Sequence, residues 1–429
     1  MQPADTAWML VSTALVLLMT PALAFFYGGL ARSKNALNTM MMSFVALGAI
    51  GVLWAVVGYS LAFADGPAWI GSVRYAFLRG VGLEAKGTIP HLLFVCYQGT
   101  FAIITAALIS GAVIERMRFS AYLLFIAIWA VVVYSPVAHW VWGGGFLSTL
   151  GVLDFAGGTV VHVNAGMAAL VAAIVLGPRK DFARQAFLPH SVPFVLLGAG
   201  LLWFGWFGFN AGSALAANGS AALAFATTML APAATLVVWT LLDLWRNGKA
   251  TAVGGATAIV VGLVAITPAA GYVSPMSALA LGAICALPSY YGLLYRVRTR
   301  LDDSLDVVAA HGLGGVTGAL LTGVFASKAW NGTTNGLLHG NPKQVLLQAI
   351  AVLVTIVYSA VATFVVLKLV NAIVPLRAER GDEGLGMDVS QHGEEAYADH
   401  DGAILVLPSQ RTAEEPALAA ARTATGGVA

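Results

Sequence analysis

Eleven stretches of about 20 apolar residues, separated by shorter polar connections, dominate this chain. An α-helix rises 1.5 Å per residue, so about 20 residues cross the hydrocarbon core of a bilayer. The stretches run roughly over 7–28, 37–63, 91–113, 120–139, 155–177, 191–211, 219–244, 251–271, 276–295, 304–325 and 345–375. Inside a bilayer every backbone N–H and C=O needs a partner within the protein, and continuous apolar runs of this length meet that need as helices. The predicted fold is an all-α polytopic membrane protein with eleven transmembrane helices. Composition agrees, with 59% hydrophobic and only 10% charged residues, against about 25% charged in soluble proteins. No run of basic residues suggests a nucleic-acid partner.

Residues 8–24 end in Ala22-Leu23-Ala24, which looks like a cleavage site. A signal peptide carries a positive n-region, whereas Met1 to Met9 contain Asp5 and no Lys or Arg. We therefore read an uncleaved first span. Cys96 and Cys285 lie in apolar runs with no metal spacing and read as packed free thiols.

Basic residues set the orientation. Connections after odd-numbered spans hold Arg32 and Lys34, Arg116 and Arg118, Arg179, Lys180 and Arg184, Arg246 and Lys249, and Arg296, Arg298 and Arg300. Most connections after even-numbered spans hold none; the exceptions are longer and hold Arg74, Arg79 and Lys86, then Lys328 and Lys343. The N-terminus is expected outside and the tail from Arg377 in the cytoplasm of a plasma (inner) membrane protein. The chain divides into a transmembrane domain, 1–376, and a cytoplasmic tail, 377–429. The tail is charged up to Asp401, then Ala/Thr-rich and expected to be disordered toward its end.

Two histidines each sit in an apolar stretch that follows an acid. Residues 154–166 open with Asp154 and carry His162 in an apolar, glycine-rich run; His311 follows Asp306 in a similar setting. An ionisable residue inside a membrane span is a functional-site hypothesis by default. Span 5 runs inward and span 10 outward, so the histidines approach mid-membrane from opposite faces. That is the geometry of an inverted repeat, spans 1–5 against spans 6–10, with its site near the midplane and span 11 outside it. Burial disfavours a charged imidazole, so both are expected neutral, one ring nitrogen donating to the other.

The chain resembles the ammonium transporter family of the ammonium transporter/Rhesus superfamily. The matching runs are Phe25-Phe-Tyr-Gly-Gly-Leu30, Tyr97-Gln-Gly-Thr-Phe101, Glu115-Arg116, Trp142-Gly-Gly-Gly145, Asp154 to Gly166, Trp206-Phe-Gly-Phe-Asn-Ala-Gly-Ser213, Thr267-Pro268-Ala269 and His311-Gly312. The resemblance implies that His162 and His311 line a conducting pore. It makes Phe101 and Phe209 a stacked gate, and Trp142, Ser213 and Phe101 an outer ammonium recruitment site. An aromatic face attracts a small cation, and a hydroxyl accepts a hydrogen bond from it. Tyr97, Gln98, Trp206, Thr267 and Asp306 are possible supporting residues; for Asp306 a helix cap and a proton route both fit. Asp154 reads first as an N-cap, and also as a negative field at the mouth. The tail run Gly384-Leu385 and Asp388 to Tyr397 resembles the family's C-terminal signature region. The resemblance further implies a homotrimer and a cytoplasmic PII signalling protein as partner.

A bare ion in a pore of Phe, Leu and Val costs roughly tens of kcal/mol by Born estimates. Ammonia is small and neutral. The expected mechanism is recruitment as ammonium, deprotonation near the gate, and passage of ammonia past the histidines. The proton either returns outside or travels separately. An ammonium sensor signalling through its tail and a Rhesus-type neutral gas channel are the competing readings. An unrelated proton-coupled transporter would need more buried acids and bases. No nucleophile, metal cluster or phosphate-cradling loop stands out, so neither catalysis nor a cofactor is expected.

Overall fold

In the computed structural model, which describes residues 1–397, the expected spans are helices. Ten are long and apolar enough to cross a membrane: α1 (Pro3–Leu30), α2 (Ser33–Phe63), α3 (His91–Ala112), α4 (Phe119–Leu150), α5 (Gly158–Leu176), α6 (Val192–Gly212), α7 (Gly219–Asn247), α9 (Pro275–Arg296), α10 (Val308–Phe325) and α11 (Lys343–Ile373). Between α7 and α9 lies α8 (Ala252–Ile266), a 15-residue apolar helix. Its length is about 22 Å at 1.5 Å per residue, and a run of turns over 267–272 extends it. The fold is an all-α polytopic membrane protein of eleven spans. The expected disorder past Asp401 lies outside the described residues.

The two halves mirror each other at α5 and α10. Each helix opens on a π-helical turn, Gly158–Val163 and Val308–Leu313. Each turn follows a residue with left-handed backbone, Gly157 (φ 116°) and Asp306 (φ 59°), five positions before the histidine. The entries hook onto the opposite half: Phe155 N–H donates to Pro268 O beyond α8, and Leu305 N–H to Gly111 O at the end of α3. The sequence reading started both helices earlier, about two turns ahead of the histidines. Residues 155–157 and 304–306, which the expected spans included, form bends and turns that end on the left-handed residues. His162 and His311 therefore stand in the first turn.

Glycine lets the mirrored helices meet. A Cβ on Gly166 would lie 2.5 Å from the Gly312 backbone, and one on Gly315 would lie 3.0 Å from the His162 Cβ. These positions each follow their own histidine by four residues, so each half's glycine admits the other half's histidine turn.

The loops that carry most of the basic residues lie on one face, here called the basic face. Arg179 Nη2 pairs with Asp302 at 2.8 Å and its Nη1 with Glu115 at 3.1 Å; Arg32 pairs with Glu115 at 2.8 Å. Tail residues pack on this face. Helices α12 (Arg380–Leu385) and α13 (Met387–His392) lie across the start of α2, where the Asp388 carboxylate accepts the N–H groups of Leu37 at 3.0 Å and Asn38 at 2.7 Å. On the opposite face a short hairpin, β1 (Ala85–Lys86) and β2 (Ile89–Pro90), closes the connection from α2 to α3. Cys285 is a buried free thiol as expected, but Cys96 is exposed, on the outward side of α3.

Candidate functional site

A path crosses the molecule between the halves. On the opposite face a cavity of about 280 Å³ is lined by Phe63, Phe94, Gln98, Phe101, Val141, Trp142, Phe155, Ser213 and Leu215. Trp142 stands in α4 just before its break at Gly143–Gly145, and its Nε1 donates to Asp154 O at 2.9 Å. Ser213 ends α6. Its hydroxyl donates to Phe209 O at 2.9 Å and lies 3.2 Å from the Tyr97 hydroxyl, which itself donates to Phe209 O at 2.8 Å. Tyr97 thus fixes the backbone that carries both Ser213 and Phe209. Gln98 Oε1 is buried with no hydrogen-bond partner among the described residues. Among the described residues no carboxylate lines this cavity. What it offers a small cation is aromatic faces, a hydroxyl and an amide oxygen.

Below it the path closes. Phe101 and Phe209 stack with centroids 4.1 Å apart and planes at 23°, and Phe101 meets Trp142 edge-on at 5.9 Å. Beyond the stack is a narrow lumen lined by Met19, Leu23, Phe26, Ile104, Leu108, Val161, Leu202, Trp206, Phe209, Val260 and the two histidines. Its walls come from α1, α3 and α5 and from α6, α8 and α10, three helices of each half. Apart from the two imidazoles and the Trp206 indole, the lining side chains are hydrocarbon or thioether.

His162 Nδ1 lies 3.2 Å from His311 Nδ1, with the rings inclined by 27°. One nitrogen donates and the other accepts, and the tautomers can exchange those roles. Trp206 stacks on His162 at 5.4 Å and donates Nε1–H to Thr267 Oγ1 at 2.9 Å. Thr267 in turn donates to Leu263 O at 2.8 Å. His162 is thus packed by groups that carry no charge, and its Nε2 has no partner among the described residues.

On the basic face the path opens into a cavity of about 690 Å³, which His311, Phe26, Tyr27, Asp306, Arg296, Asp243 and Arg179 help to line. Asp306 pairs with Arg296 at 2.5 Å. Asp154 lines neither the lumen nor the outer cavity. Its oxygens accept the N–H groups of Gly157, Gly158, Thr159 and Val160 at 2.6–3.2 Å and the Thr159 hydroxyl.

With this geometry in hand, comparison with known proteins is specific. The Ammonium Transporter Family profile matches residues 7–397. The chain belongs to the ammonium transporter family. It is 52% identical over 398 residues to an ammonium transporter of Aquifex aeolicus, covering 92% of this chain and 93% of that one. It is 46% identical over 404 residues to one of Bacillus subtilis, covering 93% and 100%. The crystal structure of Saccharomyces cerevisiae Mep2 matches with a TM-score of 0.87 at 36% identity, covering 94% of this chain and 93% of that one. A solved structure described as a sensor Amt protein matches with a TM-score of 0.85 at 29% identity, covering 91% and 98%.

Every site residue expected from sequence lies on this path or directly supports a residue that does. Phe26 and Val260, which line both the lumen and the basic-face cavity, were not singled out, although Phe26 stands inside the Phe25–Leu30 run. Phe63, Phe94 and Phe155 were missed too. An aromatic facing a cavity and one facing a neighbouring helix look alike in a sequence. Arg296 was read only as a loop cation.

Proposed function

We propose that this chain, an ammonium transporter by family, takes up ammonium at the Trp142–Ser213–Phe101 cavity and conducts ammonia past His162 and His311. Ammonium sheds its proton at the Phe101–Phe209 stack, and the proton travels separately along the histidine pair. The observation that carries this reading is the pair itself: two touching imidazoles in an otherwise apolar lumen behind two stacked rings. An unhydrated ion entering that lumen would cost roughly tens of kcal/mol by Born estimates, whereas neutral ammonia would not. Potassium meets the same aromatic mouth but has no proton to lose.

The basic face is cytoplasmic by the positive-inside rule, so α1 starts outside. By family resemblance the protein works as a homotrimer in the plasma membrane, with one pore per subunit. The tail seated across the start of α2 is where we expect a PII signalling protein to act.

The test uses purified protein in sealed liposomes under an inward ammonium gradient, with membrane current and internal pH recorded together. The expected result is a current that His162→Ala abolishes. Internal alkalinisation without current would instead leave the proton outside and remove the histidine relay. In the same liposomes His162→Asp/His311→Glu should admit potassium while wild type excludes it. Equal potassium flux in wild type would sink the dry-lumen argument. A second reading, an ammonium sensor, is favoured by the likeness to the sensor Amt structure. It predicts tight ligand binding with flux near zero.

A further inference from the structure

We propose that Asp303 stores a proton at the basic-face end of the path and exchanges it, through Asp306, with ammonia in the cavity that His311 lines. The starting point is a broken symmetry. Asp154 and Asp303 each stand eight residues before their histidine and cap the π-helical turn that carries it. Asp154 is saturated, with four backbone N–H donors and the Thr159 hydroxyl. Asp303 is buried more deeply, 1% exposed against 5%, yet its Oδ2 accepts Val308 N–H at 2.7 Å and its Oδ1 has no partner among the described residues. Val308 occupies the place of Thr159, so the hydroxyl is missing. A buried carboxylate with an unbonded oxygen is costly as an anion. With a proton it is neutral.

The second observation is at Asp306. Its counterpart in the first half is Gly157, and both have left-handed backbone. Glycine adopts that conformation freely, while an L-residue pays for it. The side chain kept there is a carboxylate, and it lies between two cavities. One is the 690 Å³ cavity shared with His311; the other, of about 250 Å³, is lined by Asp303. Asp306 and Arg296 line both.

The charges facing Asp303 leave room for one proton. Arg296, from α9, forms an ion pair with Asp306. Arg116, beyond α3, spends its guanidinium on Ser304 Oγ and on the carbonyls of Ala112 and Asp302. Asp302 is paired with Arg179. Tyr27, from α1, donates its hydroxyl to Leu108 O. Among the described residues no cation forms an ion pair with Asp303. Burial and the nearby Asp306 carboxylate push its carboxyl well above the usual carboxylate range, which favours the protonated form of an oxygen that no donor meets.

In the exchange the Asp303 O–H bond breaks, the proton passes by way of Asp306, and an N–H bond forms on ammonia. Ammonium leaves to the bulk, and Asp303 remains as a carboxylate until a proton from the histidine pair or from water restores it. This exchange rests on the proton path proposed above; the stored proton does not.

The test is infrared difference spectroscopy of the full-length protein in lipid as pH is raised, alongside ammonium-driven current in liposomes. Wild type should show the carbonyl band of a protonated carboxyl at neutral pH, fading under alkaline conditions. Asp303→Asn, which keeps an acceptor for Val308 N–H, should lack the band and lose current on the order of tenfold or more. Arg296→Gln should move the band's midpoint to higher pH, because the carboxyl pair then ionises without its cation. No titrating band in wild type, a band that survives Asp303→Asn, or a midpoint unmoved by Arg296→Gln would each overturn the stored proton. A band that behaves as expected with undiminished current in Asp303→Asn would overturn the exchange. If wild type passes no current while the band behaves, the separate proton path fails and the stored proton stands.

Discussion

A carboxylate buried at a helix start is tolerated only when donors fill its lone pairs, and Asp154 is filled. Removing it would orphan four buried N–H groups at the entry to the histidine turn. Each unsatisfied group costs about 1–3 kcal/mol. Asp154→Ala should therefore destabilise the protein by roughly 3 kcal/mol or more, read as a lower thermal midpoint in detergent. Asp154→Asn keeps part of the acceptor capacity and should fall between. An Asp154→Asn protein that keeps its midpoint but loses ammonium affinity would instead favour the negative-field role. At this scale the polar residues were the legible ones. His162, His311 and Asp154 stand out because almost nothing ionisable surrounds them in sequence. Phe26 and Val260 were not legible, since their facing the lumen depends on the rotation of α1 and α8, which no local pattern fixes.

At the scale of elements, apolar length marked the helices, and it misplaced the starts of α5 and α10, where the backbone changes direction before the helix begins. Phe155-Ala-Gly157 is as apolar as the helix it precedes, so the left-handed turn at Gly157 was invisible, whereas Asp302-Asp-Ser-Leu-Asp306 before Val308 is polar and was a usable sign of the later start. The reciprocal hooking of Phe155 onto Pro268 and Leu305 onto Gly111 was invisible too. The contact between α5 and α10 makes its own prediction. Gly166→Ala places a methyl 2.5 Å from the Gly312 backbone, which cannot rotate away as a side chain could. The helices must part, and the 3.2 Å histidine contact must lengthen. Overpacking of this kind costs about 1–3 kcal/mol, and ammonium flux should fall with it. Gly200→Ala, whose added methyl meets nothing within 4 Å, is the control and should match wild type. If Gly166→Ala conducts like that control, the two turns are not held by close approach.

Across the whole molecule the halves are also clasped by charge on the basic face. Glu115 follows α3, Arg32 follows α1, Arg179 follows α5 and Asp302 precedes α10, so the cluster joins the ends of both halves. Sequence placed these residues in basic loops and gave no sign that they pair, because their partners lie in separate connections. Burial works to raise both carboxyls, but Arg179 and Arg32 hold Glu115, and Arg179 holds Asp302, below the usual carboxylate range. A depressed folded-state pKa gives stability that is complete above the unfolded value and is lost as pH falls through the folded one. The wild-type thermal midpoint should thus be insensitive to this cluster from neutral pH to about pH 5 and decline below about pH 4. Arg179→Ala reverses the sign for Asp302. The carboxylate stays buried without its cation, at a cost of about 3–5 kcal/mol at neutral pH, and protonation relieves part of that cost. The variant's midpoint should be lower than wild type at pH 7 and should close the gap as pH falls toward 5. Arg179→Lys should restore only part, because one ammonium cannot reproduce the two-nitrogen grip on Asp302. A gap that stays constant with pH would mean Arg179 contributes packing and not charge, and the clasp between the halves would then have to lie in the glycine contacts and the reciprocal hooking of the helix entries.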